Sequence, residues 1–405
     1  MSQLRIPAVF MRGGTSKAIM FHRRDLPQDQ STWDHIFLSA MGTPDASLRQ
    51  LDGMGGGVSS LSKVCIIGPP SRLDADVDYT FAQIGVDRPI VDYSGNCGNM
   101  SGAVGPFAVD EGLVPRPSDG RAVVRIHNTN TSKIIVARFA MDGDAAAVNG
   151  DMALDGVSGT GAPVRLEFMD PGGSRTGRLL PTGRATDSLE IPGLGRVAAS
   201  LVDAANPCVF VDAQSLGRSG TDLPSAMERD TELLGQLEAI RQAASVAMGL
   251  APDLERAAKI AGVPKVAIVS QPRAAATLSG RQLTPADMDI TIRMISVGQP
   301  HRAVPVTGAT CLAVAVRLPG SIPAKLAGPI SADRAIRIAQ PSGVTIVDAK
   351  VVADAGAPNA GAPNSGTPNA GANGGMRAEY GAIYRTQRRL FEGQVLYRKL
   401  TGSAA

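Results

Sequence analysis

The chain has 405 residues, carries 40 Lys and Arg against 37 Asp and Glu for a formal net charge of +3, and is 43% hydrophobic. That length suits two to three domains at about 100–200 residues each, and the apolar share excludes a disordered chain. Near-neutral charge with one Trp, five Tyr and nine Phe excludes the dense basic and aromatic surface that nucleic-acid binding needs.

No stretch approaches the ~18 apolar residues of a spanning helix, so no membrane partner is expected. The opening MSQLRIPAVFMRGG lacks the charged, apolar and small-residue succession of a secretory signal, and the expected compartment is the cytoplasm. Cys65, Cys97, Cys208 and Cys311 have no ligand-like spacing and read as free thiols in a reducing compartment.

In chain order, Ile6 to Phe10 reads as a strand, followed by the polar glycine turn MRGGTSK (Met11 to Lys17) and a helix over Trp33 to Met41. A second glycine loop, DGMGGGVSSLSK (Asp52 to Lys63), leads into the apolar run Val64 to Ile67, and a third, SGNCGN (Ser94 to Asn99), precedes a short helix. Strands are expected at Val123 to Ile126, Ile134 to Phe139, Val164 to Phe168 and Cys208 to Val211. The longest helix falls between Leu223 and Met248, where Leu233, Leu237, Ile240, Ala244 and Met248 recur at three- and four-residue steps and Pro224 sits near the start. A helix at Pro252 to Ala261, strands at Val266 to Val269 and Ile290 to Val297, a helix after Cys311 and a strand at Val344 to Val352 follow. From Gly356 to Gly375 a five-residue Gly/Pro/Asn repeat has too little apolar surface to offset its ordering entropy and reads as a flexible insertion. Ile383, Leu390, Val395 and Leu396 then resume a packed pattern. The class is α+β.

YSGNCGNMSGAVG and VTGATCLAVAV each place a Cys after a glycine turn and continue into small residues of helical character, 214 residues apart. This suggests a duplicated fold. A Cys at a helix N-terminus meets free N–H groups that lower its pKa and favour anions, although free cysteines are commonly just small buried hydrophobes. Glycine loops let a ligand approach backbone donors, and Arg12 adds a fork matched to a carboxylate. Together with Thr15, Ser16, Ser59, Ser60 and Lys63 these loops suit an anionic substrate with several carboxylates. Lys63, at the mouth of a strand beside the second loop, can be desolvated and act as a base.

The strings MRGGTSK, DGMGGGVSSLSKVCII, DADVDYTFAQIGVDRPIVDYSGNCGN, NTNTSK, GRLLPTG, NPCVFVDA and HRAVPVTGATC resemble the PrpF family from about residue 6 to 398, sparing the repeat. The resemblance implies the diaminopimelate epimerase-like fold: two similar α+β domains, each a curled, mostly antiparallel sheet around a central helix, with the active site between them. The expected boundaries are 1–187 and 188–405, with the insertion at 356–375 in the second. It implies a cofactor-free isomerase that moves a double bond in a small unsaturated di- or tricarboxylate such as 2-methylaconitate, with 4-oxalomesaconate and 3-methylitaconate as alternatives. The family's catalytic lysine falls on Lys63 and its first-domain cysteine on Cys97. Arg12, Thr15, Ser16, Met54, Gly55, Gly56, Ser60, Asn96, Gly98 and Asn99 are expected to bind substrate, with His301, Thr307, Gly308 and Cys311 closing the site from the second domain. A second-domain thiol leaves a two-base arrangement open, and a homodimer is an assembly open to the chain.

Rival readings fare worse. Ser60-Leu61-Ser62-Lys63 fits the S-x-x-K of penicillin-recognising enzymes, but that motif must open a helix, and the β-branched run after Lys63 reads as a strand. GMGGGVSS lacks the strand that precedes a dinucleotide-binding loop. His22, His35, His127 and His301 are scattered without metal-site spacing, so no metal is expected. A non-catalytic carboxylate-binding protein would bind without proton exchange.

Overall fold

The computed structural model describes residues 3–260, 262–354 and 375–399. The expected flexible repeat lies outside them apart from Gly375. The chain divides into two units, residues 1–167 with 384–405, and residues 168–383.

In the first unit, β1 (Gln3–Gly13) and β2 (Ser16–His22) form an antiparallel hairpin, and β2 pairs in parallel with β3 (Lys63–Gly68). β3 pairs antiparallel with β4 (Val77–Ile84), which lies parallel to the strand Arg121–Asn128. That strand pairs antiparallel with Lys133–Asp142. Parallel neighbours need a crossover. Helix α1 (Trp33–Met41) lies in the first and α2 (Ser101–Asp110) in the second.

Helix α2 is the centre of this unit. Ser101, Gly102, Ala103, Gly105 and Ala108 are buried along with Val104 and Phe107, so the helix has no solvent face, which only small residues permit at close range. A Cβ on Gly105 would lie 2.8 Å from the Ala137 methyl and 2.9 Å from the Phe139 ring.

The second unit repeats this order of strand senses. Gly195–Ala204 and Asn206–Asp212 are antiparallel, and Asn206–Asp212 is parallel to Lys265–Ser270. Lys265–Ser270 is antiparallel to Ile290–Ser296, which is parallel to Ile336–Gln340, itself antiparallel to Gly343–Ala353. Helices α3 (Pro224–Met227), α4 (Thr231–Ala247) and α5 (Leu254–Lys259) fill its first crossover, and α6 (Val306–Arg317) with α7 (Ile322–Ala327) the second. Helix α6 is buried from Gly308 to Val316. The chain is an α+β protein of two similar sheet-around-helix units, the duplication that the paired cysteine segments suggested.

Three expectations need correction. The first unit ends at residue 167, short of 187, and the C-terminal strand Gln387–Arg398 returns to it by pairing with β1 from Gln3 to Gly13, so the second unit does not run to the C-terminus. The long helix is broken: Asp230 leaves helical geometry and its carboxylate accepts from the Leu233 amide, which caps α4 afresh after α3. The helix expected after Cys311 begins at Val306 and contains it.

Candidate active site

Lys63 opens β3 and is only 7% exposed. Its register partner across the antiparallel ladder is Gln83, whose side-chain oxygen accepts from the Lys63 ammonium. The Gln83 amide nitrogen in turn donates to the carbonyls of Ser59 at 3.0 Å and Ser62 at 2.9 Å. Two acceptors on one side and the lysine nitrogen on the other leave the amide a single sensible orientation. The ammonium also stands 5.2 Å from the Phe81 ring centroid. Gln83 therefore aims Lys63 and ties it to the preceding turn. Sequence reasoning passed over Gln83, although a Gln in the mostly buried Phe81-Ala82-Gln83-Ile84 stretch is a polar residue in need of a partner.

The glycine loop before Lys63 does different work from that expected. The amides of Met54 and Gly55 donate to the last carbonyls of α1, Ala40 at 2.9 Å and Met41 at 3.2 Å, so the Gly55 amide is engaged and is not an open anion donor. Gly57 donates to the Gln50 side chain at 2.9 Å, and a Cβ on Gly55 would sit 2.2 Å from that same side chain. Ser60 lies in a one-turn 3-10 helix, Met54 packs on the α1 core, and Gly56 is exposed. These glycines seat the loop on α1.

MRGGTSK is a hairpin tip. Gly14 has φ +52°, and its amide donates to the Thr386 carbonyl at 2.9 Å. Arg12 spends one Nη on the carbonyls of Gly14 and Thr386, both at 2.9 Å, and on the Thr386 hydroxyl at 3.0 Å. It acts as a staple between β1 and the C-terminal strand. Ser16 is buried at the far side of the turn and Thr15 is exposed.

Asn99 links this tip to the cysteine loop. Its amide nitrogen donates to the Thr15 hydroxyl at 3.2 Å, and its oxygen accepts from Arg385 Nε at 2.9 Å. Arg385 is buried, and that burial pulls its guanidinium down to about 10, with charge on Cys97 acting the other way. A second donor of this guanidinium goes to the Tyr384 carbonyl at 2.9 Å, and Nη2 makes no hydrogen bond among the described residues. Arg385 was not expected. It lies 286 residues from Asn99, a juxtaposition only the returning C-terminal strand creates.

Cys97 is half-buried, and its carbonyl accepts from the Ser101 amide at 2.9 Å, one turn ahead of α2. Asn96 accepts from the Ser101 hydroxyl at 3.3 Å, and Gly98 is half-buried beside it. Beneath lies Cys65, whose thiol is pushed up by burial and then by charge on Cys97, and pulled down by the Tyr79 hydroxyl and by Lys63. Lys63, Cys97 and Arg385 thus share one electrostatic neighbourhood.

In the second unit His301 is half-buried, and its Nε2 is buried without a hydrogen bond. Burial, and then the Lys265 charge, lower its pKa. Thr307 is exposed in the first turn of α6, and Gly308 is where α6 meets Met294, whose sulfur would lie 2.6 Å from a Cβ there. Cys311 corrects the substrate-contact expectation: it is fully buried within α6, lies 3.4 Å from the Val202 carbonyl, and burial pushes its thiol far up. Of the other histidines, His22 pairs with Glu111 at 2.9 Å, His127 with Asp78 at 2.9 Å, and His35 meets the Arg398 carbonyl at 2.6 Å.

Fold and side chains define a two-unit α+β protein whose first unit groups a buried lysine, a half-buried thiol and a desolvated guanidinium. The chain belongs to the PrpF family, whose profile, described as PrpF protein, matches residues 3–398. It is 38% identical to the 3-methylitaconate isomerase of Eubacterium barkeri over 98% of both chains. The 2-methyl-aconitate isomerase of Shewanella oneidensis is 38% identical over 87% of this chain and 91% of its own. The 4-oxalomesaconate tautomerase of Pseudomonas putida is 38% identical over 86% and 90%. The crystal structure of a methylitaconate-delta-isomerase superposes with a TM-score of 0.88 at 37% identity, covering 100% of this chain and 99% of that one.

Proposed function

We propose that the protein moves a double bond in a small unsaturated di- or tricarboxylate by cofactor-free allylic proton transfer, with 2-methylaconitate as first substrate. The observation that carries the reading is the buried Lys63, aimed by Gln83 and sharing its surroundings with Cys97 and the desolvated Arg385. An allylic C–H beside a carboxylate is a weak carbon acid, because the electron pair left behind spreads onto oxygen. The Lys63 side chain, as its neutral amine, takes that proton and becomes the ammonium. Arg385 and the donors around Asn96 and Gly98 meet the developing oxyanion, where one well-aimed donor is worth about 3–4 kcal/mol. The proton then returns at the far allylic carbon from Lys63 or Cys97. Rotation about the weakened bond before its return gives cis-trans exchange.

Arg12, with its staple role, and Thr15 and Asn99, at the tip of the cluster, hold a substrate carboxylate indirectly by keeping Arg385 and the cysteine loop in place. A 3-methylitaconate reading has an observation of its own, since that relative matches over 98% of both chains. Four free cysteines suit a reducing cytoplasm.

The test is a screen of 2-methylaconitate, 3-methylitaconate and 4-oxalomesaconate by ultraviolet absorbance, run alongside deuterium wash-in from D2O. The expected result is double-bond movement with solvent deuterium in the product of at least one of them. Binding without absorbance change or wash-in for all three would replace the isomerase reading by a carboxylate-binding one.

A further inference from the structure

On the side of β4 away from β3, two short pairings leave a gap, and one side chain of the first unit fills it. The strand Arg121–Asn128 pairs with β4 from Val77 to Tyr79, and the two-residue strand Val91–Asp92 pairs with it at Gln83 and Ile84. Phe81 lies between those pairings, opposite Cys65 of β3. Its N–H donates to Asn130 Oδ1 at 2.8 Å, and its carbonyl accepts from Asn130 Nδ2 at 2.9 Å. The Asn130 amide thus stands in for the missing strand residue, because backbone groups in a sheet need partners.

Asn130 Nδ2 also donates to the Tyr93 carbonyl at 2.8 Å, and Oδ1 accepts from Asn128 Nδ2 at 3.1 Å. Two donors and two acceptor sites are all in use, so the amide has one orientation. What it grips is the surroundings of Lys63 and Cys97. Phe81 carries the ring 5.2 Å from Lys63 Nζ, and Gln83, two residues further along β4, accepts from that nitrogen. Tyr93 opens into the loop Ser94 to Asn99 that carries Cys97.

We propose that Asn130 is a positioning residue of the active site, acting through Phe81 and Tyr93 to hold the Lys63 side chain and the Cys97 loop in one register. The proposal rests on the isomerase reading above. Four hydrogen bonds from one side chain tie a turn, a strand and a loop together, and a shift of about 1 Å at a proton-transferring group costs about 100-fold in rate. Removing the amide should leave the turn itself in place. The Thr129 and Thr80 hydroxyls, one residue before Asn130 and Phe81, meet at 2.6 Å, and the Thr129 amide donates to the Tyr79 carbonyl at 2.9 Å.

The test compares Asn130→Ala and Thr131→Ala with the unaltered protein, on whichever of the three acids the latter converts. Thr131 sits in the same turn, donates from its hydroxyl to Asn128 Oδ1 at 2.7 Å, and among the described residues bonds neither Phe81 nor Tyr93. Asn130→Ala should lower kcat about 10–100-fold with KM within about threefold. Alkylation of Cys97 by iodoacetamide, read by peptide mass on the folded protein, should quicken about fivefold, one hydrogen bond's worth of loop closure. Thr131→Ala should show neither change. An unchanged kcat or an unchanged alkylation rate in Asn130→Ala, or equal effects in Thr131→Ala, overturns the proposal and makes Asn130 a purely structural residue. Should Asn130→Ala not fold, Asn130→Asp is read in its place, since it keeps an acceptor for the Phe81 N–H and loses both donors: lowered kcat with faster alkylation supports the proposal, and either one unchanged overturns it. If the unaltered protein converts none of the three acids, the isomerase reading has failed and takes this proposal with it, whereas conversion by the unaltered protein at an equal rate in Asn130→Ala removes the proposal alone.

Discussion

Helices α2 and α6 occupy the same place in their units, yet the cysteines associated with them live in different worlds. Cys97 precedes α2 by one turn and is half-buried, next to a lysine and a guanidinium. Cys311 lies inside α6, with no exposure, its sulfur beside the Val202 carbonyl and the buried Cys208 thiol. Access therefore separates them: Cys97 can be met by a ligand, and Cys311 is sealed in the core. Where the second unit has its polar group before the helix, that group is His301. Position in the repeated fold decides which residues are desolvated, and side-chain identity decides what they can then do.

The largest effect should come from Lys63. Lys63→Ala is expected to lower kcat by about 10²–10⁴-fold with KM little changed, measured as steady-state turnover of whichever acid the screen identifies. Near-normal turnover would end the assignment of the base to Lys63.

Next comes Gln83. Gln83→Leu leaves the buried Lys63 nitrogen without its acceptor and the Ser59 carbonyl without the Gln83 amide, while the Ser62 carbonyl keeps only the Ile84 N–H. Unpaired buried polar groups cost about 1–3 kcal/mol, so thermal unfolding should begin earlier. Turnover should fall about 10–100-fold, with partial rescue by Gln83→Glu, which keeps an acceptor for the ammonium. Equal stability loss in both variants with unchanged kcat would make Gln83 purely structural.

The two cysteines give the direct comparison. Cys97→Ser should lower turnover while keeping some, because Lys63 can return the proton itself. Cys311→Ala should leave kcat within about twofold and cost about 1–2 kcal/mol in a denaturant melt, the effect of removing one buried atom from a packed core. A reversed pattern, with Cys311→Ala losing turnover, would restore the thiol to the chemistry.

Much of this was legible in the chain. Strand runs bounded by Gly, Pro or Asp fell where strands form, because alternation and β-branching report local burial. Lys63 and Cys97 stood out because of the glycine and amide neighbours beside them in sequence. Arg385 and Gln83 did not, since their roles depend on pairings with Asn99 and Lys63 that no local pattern encodes. The glycines misled in part: Gly55 looks like an open donor in sequence, but its N–H is used by the end of α1. Cys311 misled because TGATC resembles a helix entry, when the preceding Pro305 had already set the start at Val306.

The helix ends carry the smallest predicted difference. Helix α2 runs out onto an acid: Glu111 takes His22 at 2.9 Å and Arg389 at 2.6 Å. Helix α6 ends on a base, with Arg317 donating to the carbonyls of Ile330 at 2.8 Å and Arg334 at 2.6 Å and standing 3.4 Å from Asp348. Burial alone would raise the Glu111 carboxyl, but hydrogen bonds from His22 and Arg389 outweigh it and hold the group below its ordinary 4.5. A carboxylate held low in the folded chain contributes stability above its unfolded value, and that contribution fades as pH falls through the folded one. Glu111→Gln should therefore melt at a lower temperature than the unaltered protein near neutral pH, and the gap should close as pH drops below about 4.5. Melting curves by circular dichroism from about pH 7 to 3 measure this; a gap that stays constant across that range would mean that Glu111 fastens the end of α2 by shape and not by charge.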